Sequence, residues 1–491
     1  MTSIREDDEW VHVQYVDNND HQKSIRARFL VGADGKTGFT RKQYLEPRGV
    51  QLDKLVDMPY EEDWVAMNWR MSLPTPETHP DFPLWEKGYT PQQVYDAFFP
   101  ADFRFICDPQ RSAVCGRFGL PEDRLWRFEF VVLHGENPQA MAMSEKMAEI
   151  VYPYITHPGE RHGVAAPEVQ FPTDCIEVMR CRPFRFSARS CNRWALDRTI
   201  LCGDAAHVFP PFGAQGIVSG FRDVISLAWR LRVAMQGSDA KMDHRKLLEG
   251  WYAERKQQLD ASLRLTILNG AYVTESDSLK IFLRDWYLWL VQLVPSWRRQ
   301  VQLGSRRDGM TQYQWEHGRG MAFMPSLGGG GCFPQVYAAL IRGTGEVLFT
   351  DDIIFSPSKK GLFQLVVLVK TAYELDRLDH SLAGIDRESN GVLLPGESSI
   401  FAEDSIGPWG EARGGRHVYR FATGDEFESS PLCARRPKPV GYDSQLMVKA
   451  ARGSKFIVLR PDRFVFAACR TTEELHGAAG RIGDFIIKGI L

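Results

Sequence analysis

The sequence predicts an α/β protein whose parallel sheet is incomplete, and three observations predict it. A short apolar strand, Arg198 to Cys202, runs into Gly203-Asp204 and, past a proline-stiffened loop, into a long amphipathic helix. An earlier extended run, Ile25 to Val31, ends in Gly32-Ala33-Asp34-Gly35. Nowhere does a strand lead through Gly-x-Gly-x-x-Gly into a helix, the turn that seats a dinucleotide pyrophosphate on helix N–H groups.

Trp10 to Val16 alternates polar and apolar residues, Asp17 to Asp20 is rich in turn formers, and Ile25 to Val31 resumes the extended pattern, a hairpin feeding a further strand. The other glycine clusters do not supply the missing turn. Gly32, Gly35 and Gly38 are spaced by threes, Gly328 to Gly331 is a brief flexible joint before Cys332-Phe333-Pro334, and Gly343-Thr344-Gly345 leads into an apolar extended run. A parallel sheet without that unit lacks central strands and exposes hydrogen-bonding edges. The expectation is a chain without an N-terminal portion, through an incorrect gene start or true loss, two alternatives that one sequence leaves open.

From Arg41 to Arg189 the pattern is mixed, with strands at Trp64 to Trp69 and Trp126 to Val132. Trp64, Trp69, Trp126, Phe128 and Phe130 are candidates for an aromatic pocket, although alternation places most of them in the sheet core. Helical material runs from Ile217 to about Gly320, with Ile217, Phe221, Val224, Ile225, Ala228 and Leu231 at helical spacing in its first segment. Ile281 to Val294 is the most membrane-like stretch. It contains Arg284 and Asp285 and falls short of the ~20 apolar residues of a spanning helix, so it reads as an aromatic-rich packed helix. Beyond Met324 come a strand at Leu362 to Val369, a hairpin at Phe456 to Ala467, and a last helix opened by the capping-box sequence Thr471-Thr472-Glu473-Glu474.

A chain of 491 residues makes about three domains. With 60 Lys+Arg against 62 Asp+Glu, no global basic field points to nucleic acid or an acidic membrane, and small-molecule chemistry fits better. The nine cysteines contain no Cys-x-x-Cys and form no sequence cluster with histidine, so no metal site is expected and buried reduced thiols are. The charged start, Met1 to Trp10, is no signal peptide, and a cytoplasmic protein is expected.

Glycine at 203 lets the backbone turn close to a ligand, and Asp204 then stands at the carboxyl end of a strand, where open α/β sheets bind ligands. Pro210-Pro211 stiffens the loop and removes backbone donors. Gly213 and Gly216 allow close approach to a flat ring, and the helix begins at that ligand with roughly half a positive charge at its N-terminus. The plainer alternative is a common Gly-Asp-Ala-Ala turn before an ordinary amphipathic helix.

The ordered run from Gly203 to Gly216 resembles the second flavin motif of the class A flavoprotein monooxygenases, the para-hydroxybenzoate hydroxylase fold, and most of all the branch with phenol 2-monooxygenase and 3-(3-hydroxyphenyl)propionate hydroxylase. Phe29 to Gly35 resembles the family's other signature, although Thr37-Gly38-Phe39-Thr40-Arg41 replaces the usual serine and keeps a basic residue at Arg41. Trp251-Tyr252-Ala253-Glu254-Arg255 is similar to a helical stretch that follows the second motif, readable as a solvated helix pairing with its neighbours. Val458 to Val465 resembles a hairpin of the branch's thioredoxin-like C-terminal domain.

The resemblance implies an α/β fold with an incomplete FAD-binding Rossmann-like domain, an inserted β-rich substrate domain and a C-terminal thioredoxin-like domain. The expected boundaries are 1–50 and 190–323 for the FAD-binding part, 51–189 for the substrate domain and 324–491 for the last. It implies FAD as cofactor, NADPH or NADH as reductant, molecular oxygen and a small aromatic substrate, with a homodimer as the expected assembly and neither nucleic acid nor membrane as partner. Asp34 belongs to the pyrophosphate and ribose side, Asp204 to the ribityl chain, and the backbone around Gly213 to Gly216 to the ring; Gly32, Gly35, Gly203, Pro211 and Gln215 complete the cofactor-binding set. Without Cys-x-x-Cys the C-terminal domain is expected to serve packing or dimer support. Tyr60, His134, Tyr152 and Arg185 qualify as phenol-activating bases by residue type alone, and His207 is expected to pack or hydrogen-bond within its loop. A noncatalytic remnant and a flavin oxidoreductase without oxygen insertion remain the alternatives.

Overall fold

Alternation in the first thirty residues closes into an antiparallel meander of β1 (Ser3–Glu6), β2 (Val11–Val16) and β3 (Gln22–Ala27). Val11 and Val13 point inward, and the Asp17 carboxylate accepts the N–H groups of Asn19 and His21 to shape the turn. The chain continues into β4 (Leu30–Gly32) and β5 (Leu52–Lys54). The computed structural model describes every residue except 56–58, 214, 237–242, 300, 302–311, 343–344, 404–416, 435, 440 and 490–491. Gly343 and Thr344 of the third glycine cluster therefore lie outside the described residues.

The mixed region forms a five-stranded antiparallel sheet. It contains β6 (Glu61–Met71), β7 (Arg104–Ile106), β8 (Ala113–Phe118) and β9 (Leu125–Val131). The pair β10 (Thr156–Pro158) and β11 (Glu168–Gln170) stands apart, and β12 (Ile176–Ser187) returns to give the order β12-β6-β9-β8-β7. Because side chains alternate along a strand, Val65, Met67, Trp69, Trp126, Phe128 and Phe130 share one face and pack under helices α1 (Pro91–Phe98), α2 (Pro138–Met141) and α3 (Ser144–Val151). Trp64 stands on the opposite face with Val114 and Val131. Of the five aromatic candidates, four are therefore sheet core and one is not.

Next come β13 (Arg189–Cys191), β14 (Ala195–Leu196), β15 (Thr199–Leu201) and β16 (His207–Val208). β15 lies parallel to β4, with Leu201 opposite Gly32, and antiparallel to β14. The order β14-β15-β4 ends at β4, whose other edge pairs with no strand among the described residues.

Helices α4 (Gln215–Gln236), α5 (His244–Val273) and α6 (Ser278–Leu293) follow. In α4 the apolar residues that marked the helix in the sequence mostly face outward. Ile217 is 76% exposed and Phe221 63%, with Val224, Ile225 and Ala228 also exposed. Its buried side is mixed: Ser219, Asp223, Ser226 and Arg230 are buried polar residues on the α5 side, and Leu227, Trp229, Val233 and Ala234 pack into the apolar core. The expectation of a packed helix at Ile281 to Val294 is likewise corrected. α6 is a helix, but Phe282, Leu283, Trp286, Tyr287, Trp289 and Leu290 are exposed, and only Arg284 and Val291 are buried. No helix among the described residues is long and apolar enough to cross a membrane.

The last third is a seven-stranded mixed sheet of β17 (Tyr337–Leu340), β18 (Val347–Phe349), β19 (Gln364–Val369), β20 (Ser399–Ala402), β21 (Val418–Phe421), β22 (Phe456–Leu459) and β23 (Val465–Cys469). Its order is β18-β17-β21-β20-β19-β22-β23. Helix α7 (Thr472–Lys488) packs on it, capped where the Thr471 hydroxyl accepts the Glu474 N–H. The Glu474 carboxylate accepts the Arg470 N–H, so the reciprocal bond of the capping box goes one residue outside it. Gly328 to Gly331 is not a loose joint. Gly330 N–H donates to the Val465 carbonyl, and a Cβ on Gly329 would come within 2.4 Å of the Phe466 carbonyl oxygen.

Trp251 to Arg255 is buried, which corrects the solvated reading. Glu254 binds Arg230 at 2.7 Å and Arg460 at 2.8 Å, and Arg460 also binds Asp462 at 2.7 Å. This buried cluster ties α4 and α5 to the β22–β23 turn. Burial pushes both carboxyls up, but the two guanidinium groups prevail and hold Glu254 and Asp462 below the ordinary carboxylate range.

Candidate functional site

Parallel pairing of β4 with β15 brings the two glycine-aspartate loops side by side, with Cys202 N–H donating to the Gly32 carbonyl at 3.0 Å. Gly203 takes φ +59°, a left-handed conformation that favours glycine. Asp204 is exposed at the strand's end. Lys36, in the first loop, lies within the field of Asp204. Burial lowers its pKa, Arg189 and Arg185 add to the effect, and Glu61 and Asp204 oppose it. Arg41 pins the loops together: its buried guanidinium donates to the Ala205 carbonyl at 3.0 Å, to the Lys36 carbonyl and to Glu46.

Asp34 is exposed, and its carboxylate is engaged within its own loop. Its carboxylate accepts the Thr40 N–H at 2.8 Å and the Thr40 hydroxyl at 3.0 Å, capping the short helical segment Thr40–Leu45. A Cβ on Gly38 would come within 2.3 Å of Asp34 Oδ1, so glycine there makes room for the cap. Gly32 packs on the Thr40 side chain, and Gly35 has φ +80° with open space at its Cβ position.

Behind the Gly203 turn sits a buried hub absent from the sequence-predicted set. Asp223 of α4 accepts the Gly203 N–H at 3.0 Å, pairs with His207 Nε2 at 2.7 Å and accepts Arg255 Nε at 2.9 Å. Burial pushes the Asp223 carboxyl up, but the His207 hydrogen bond and the charges of His207 and Arg255 hold it below its ordinary value. His207 is fully buried, 4.8 Å from the Trp194 ring, in the packing and loop-bonding role expected of it. The signal for this hub was Arg255 in the Trp-Tyr-Ala-Glu-Arg stretch, whose partner becomes visible only when α5 lies against α4.

Past the hub the loop turns on a Gly213 N–H bond to the Pro211 carbonyl at 2.8 Å, and Gln215 donates to the Gly213 carbonyl at 3.0 Å. Ala214 lies outside the described residues. Side chains built on Gly203 or Gly216 would meet open space. Between Pro211 and Gly213, Phe212 drives into the five-stranded sheet, with ring centroids 5.4 Å from Trp64, 6.0 Å from Tyr60 and 6.2 Å from Phe105. Glu62 accepts both the Tyr60 hydroxyl at 2.8 Å and the Trp64 indole N–H at 3.0 Å. Burial, then Glu62, push the Tyr60 phenol far up, so it stays a hydrogen-bond donor. Phe212 and Glu62 were missed in the sequence because each is ordinary until loop and sheet meet.

The remaining residues named as bases by type are scattered. His134 is exposed, Tyr152 packs near Trp69 on the far face, and Arg185 is an exposed partner of Asp63 at 2.7 Å. The nine cysteines are free thiols. The absence of any cysteine–histidine cluster does not survive folding: His79 Nε2 lies 3.1 Å from Asp174 and 3.9 Å from Cys175 Sγ, at the opposite end of β6 from Trp64 and Tyr60.

An exposed carboxylate at a strand end, open space above Gly203 and Gly216, and the N-terminus of a 22-residue helix suit the ribityl and ring portion of a flavin. The described residues supply no strand–turn–helix unit on the free edge of β4 for its adenine end. Such loops set against an aromatic sheet suit a scaffold that holds a flavin beside an apolar wall. The chain matches the family model described as the FAD binding domain over residues 1–82 and 165–265. It is 27% identical over 304 residues to a 3-(3-hydroxy-phenyl)propionate/3-hydroxycinnamic acid hydroxylase of Burkholderia cenocepacia (strain HI2424), covering 61% of this chain and 46% of that protein. It is 25% identical over 313 residues to the protein so named in Escherichia coli (strain SMS-3-5 / SECEC), covering 64% and 47%. The chain spans about half the length of these curated relatives. Among solved structures it is similar in fold to aklavinone-11 hydroxylase in complex with FAD and aklavinone, with a TM-score of 0.57, 17% identity, and 98% of this chain and 73% of that one covered. It is also similar to OxyS anhydrotetracycline hydroxylase from Streptomyces rimosus, with a TM-score of 0.53, 18% identity, and 96% and 71% covered.

Proposed function

We propose that this chain carries the ring-holding and substrate-facing parts of an FAD-dependent, NAD(P)H-consuming monooxygenase that hydroxylates a phenolic or other electron-rich aromatic compound. The observation that carries the reading is Phe212: the loop with the flavin-motif glycines ends in a ring packed against Tyr60, Trp64 and Phe105. A flat substrate held there lies between the flavin loop and an apolar sheet wall that excludes water.

In this reading residues 1–50 and 190–323 form the FAD-binding part, 51–189 the substrate domain and 324–491 a thioredoxin-like domain. Bound FAD supplies the redox chemistry and oxygen activation. Asp204 accepts hydrogen bonds from the ribityl hydroxyls, and Gly203, Pro211, Gly213, Gln215 and Gly216 shape the ring's cradle. Gly32, Asp34 and Gly35 shape the neighbouring loop, with Asp34 acting through its Thr40 cap. Asp223 fixes the Gly203 N–H, and Glu62 keeps the Tyr60 hydroxyl oriented. The adenine end is held by a strand–turn–helix unit outside these 491 residues, docked on the free edge of β4 and the bare apolar stripe of α4. Both features support that assignment and give the noncatalytic-remnant reading its footing for the chain alone.

Flavin retention by this chain, and by one extended upstream through such a unit, tests the proposal. The extended chain is expected to hold FAD and to couple substrate-stimulated NAD(P)H consumption to oxygen incorporation. Failure of both chains to retain FAD refutes the enzyme reading, and consumption without incorporation selects oxidation instead. Asp204→Ala in the extended chain is expected to weaken FAD binding by about tenfold or more, the loss of a hydrogen bond to a charged group.

A further inference from the structure

At the far end of β6 from Trp64 and Tyr60, three metal-ligand side chains from two distant segments meet. His79 belongs to the loop between β6 and α1, and Asp174 and Cys175 end the short turn Thr173–Cys175 that opens β12. His79 Nε2 is 3.1 Å from both Asp174 carboxylate oxygens and 3.9 Å from Cys175 Sγ, and one donor atom of each residue lies within 4.8 Å of the others. An ion pair alone accounts for the first distance but not for a buried thiol beside the same nitrogen. The other ring nitrogen is already engaged, because Thr78 Oγ1 lies 2.8 Å from His79 Nδ1. An imidazole held at Nδ1 presents Nε2 as a ligand, the arrangement that supporting partners impose at metal centres. The backbone beneath is fixed as well. His79 N–H donates to the Thr75 carbonyl at 2.8 Å, the His79 carbonyl accepts the Trp85 indole N–H at 2.7 Å, and the Cys175 carbonyl accepts the Ser72 N–H at 2.9 Å.

We propose that His79, Asp174 and Cys175 bind one divalent ion of the zinc class, with water on the fourth corner, beside the exposed Asp174. Tetrahedral zinc bonds of about 2.0–2.2 Å to nitrogen and oxygen and about 2.3 Å to sulfur set neighbouring donors about 3.3 to 3.7 Å apart. The observed 3.1 and 3.9 Å straddle that range, so small side-chain rotations close three corners of the tetrahedron. A thiolate joined to an imidazole selects such an ion over magnesium or calcium. Binding takes the thiolate and releases the Cys175 proton to solvent. The ion clamps the loop that leads into α1 to the start of β12, across 96 positions of chain. Phe82, Leu84 and Cys175 share the core under that end of the sheet, so the clamp stiffens the core side and is independent of the function proposed above.

Zinc chloride titrated into the reduced, untagged, metal-stripped chain against a chromogenic chelator tests this, with cobalt(II) as the spectroscopic probe. One equivalent of zinc is expected to bind, and cobalt(II) is expected to show tetrahedral visible bands and a thiolate charge-transfer band in the near ultraviolet. Cys175→Ser is expected to remove the charge-transfer band. His79→Gln is expected to weaken zinc about 100-fold or more, and Thr78→Val, which keeps all three donors, about tenfold, the lower end of what loss of a supporting partner costs. Thermal melting without metal reports whether each variant is folded. Should Cys175→Ser not fold, His79→Gln, at a side chain already partly exposed, carries the decision. Absence of stoichiometric zinc binding, zinc affinity unchanged in His79→Gln, or a charge-transfer band that survives Cys175→Ser overturns the site.

Discussion

Helices α4 and α7 have similar apolar spacing and opposite fates. In α7, Leu475, Ala478, Ala479, Ile482 and Phe485 are buried against the seven-stranded sheet, whose β19 is buried at every position. In α4, Ile217, Phe221, Val224 and Ile225 face outward beside a sheet that stops at the edge of β4. The periodicity makes each segment a helix; whether its apolar stripe is covered depends on a second element that the stripe does not encode. On its other side α4 is held by buried ion pairs and by packing of Leu227, Trp229, Val233 and Ala234, whereas α7 is held by packing.

That contrast can be broken first at the ion pairs. Glu254→Ala leaves Arg230 and Arg460 buried without a shared carboxylate, and a loss of about 3–5 kcal/mol is expected, measured by urea unfolding. The same cluster sets an acid limit. Folding lowers the pKa of Glu254 and Asp462, so their contribution is fully present above the ordinary carboxylate range, near about 4, and is lost as pH falls through and below it. Acid unfolding at stepped pH checks this, and Glu254→Gln is expected to shallow the profile.

Next, Ile482→Ala in α7 removes a fully buried side chain, and about 2–5 kcal/mol is expected. The smallest effect is expected at the corresponding place in α4. Phe221→Lys should change the stability of this chain by no more than about 0.5 kcal/mol and reduce its self-association in sedimentation velocity. In a chain extended by the covering unit, the same substitution should cost about 1.5–3 kcal/mol. A neutral result there would show that the unit does not lie on this stripe.

Strand and helix identity was legible residue by residue. Turn formers at Asp17 to Asp20, β-branched and aromatic residues at Trp64 to Trp69, and the proline-bounded run from Gly203 to Gly216 each carry local signals, because backbone preference and side-chain alternation act over a few neighbours. That the two glycine-aspartate loops lie side by side was not read from the sequence; it follows from the parallel register of β4 with β15.

What the chain alone determined was therefore the kind of each element and the loops that could meet a flavin. Tertiary structure decided the rest. It bound the Asp34 carboxylate to Thr40, buried Glu254 and Arg255 where a solvated helix was expected, left α6 largely exposed, and set Phe212 against Trp64 and Tyr60. The reason is one of range: a charge or an apolar side chain is satisfied by whatever lies across from it, and for these residues the partner stands tens to hundreds of positions away or on a surface that no described element covers.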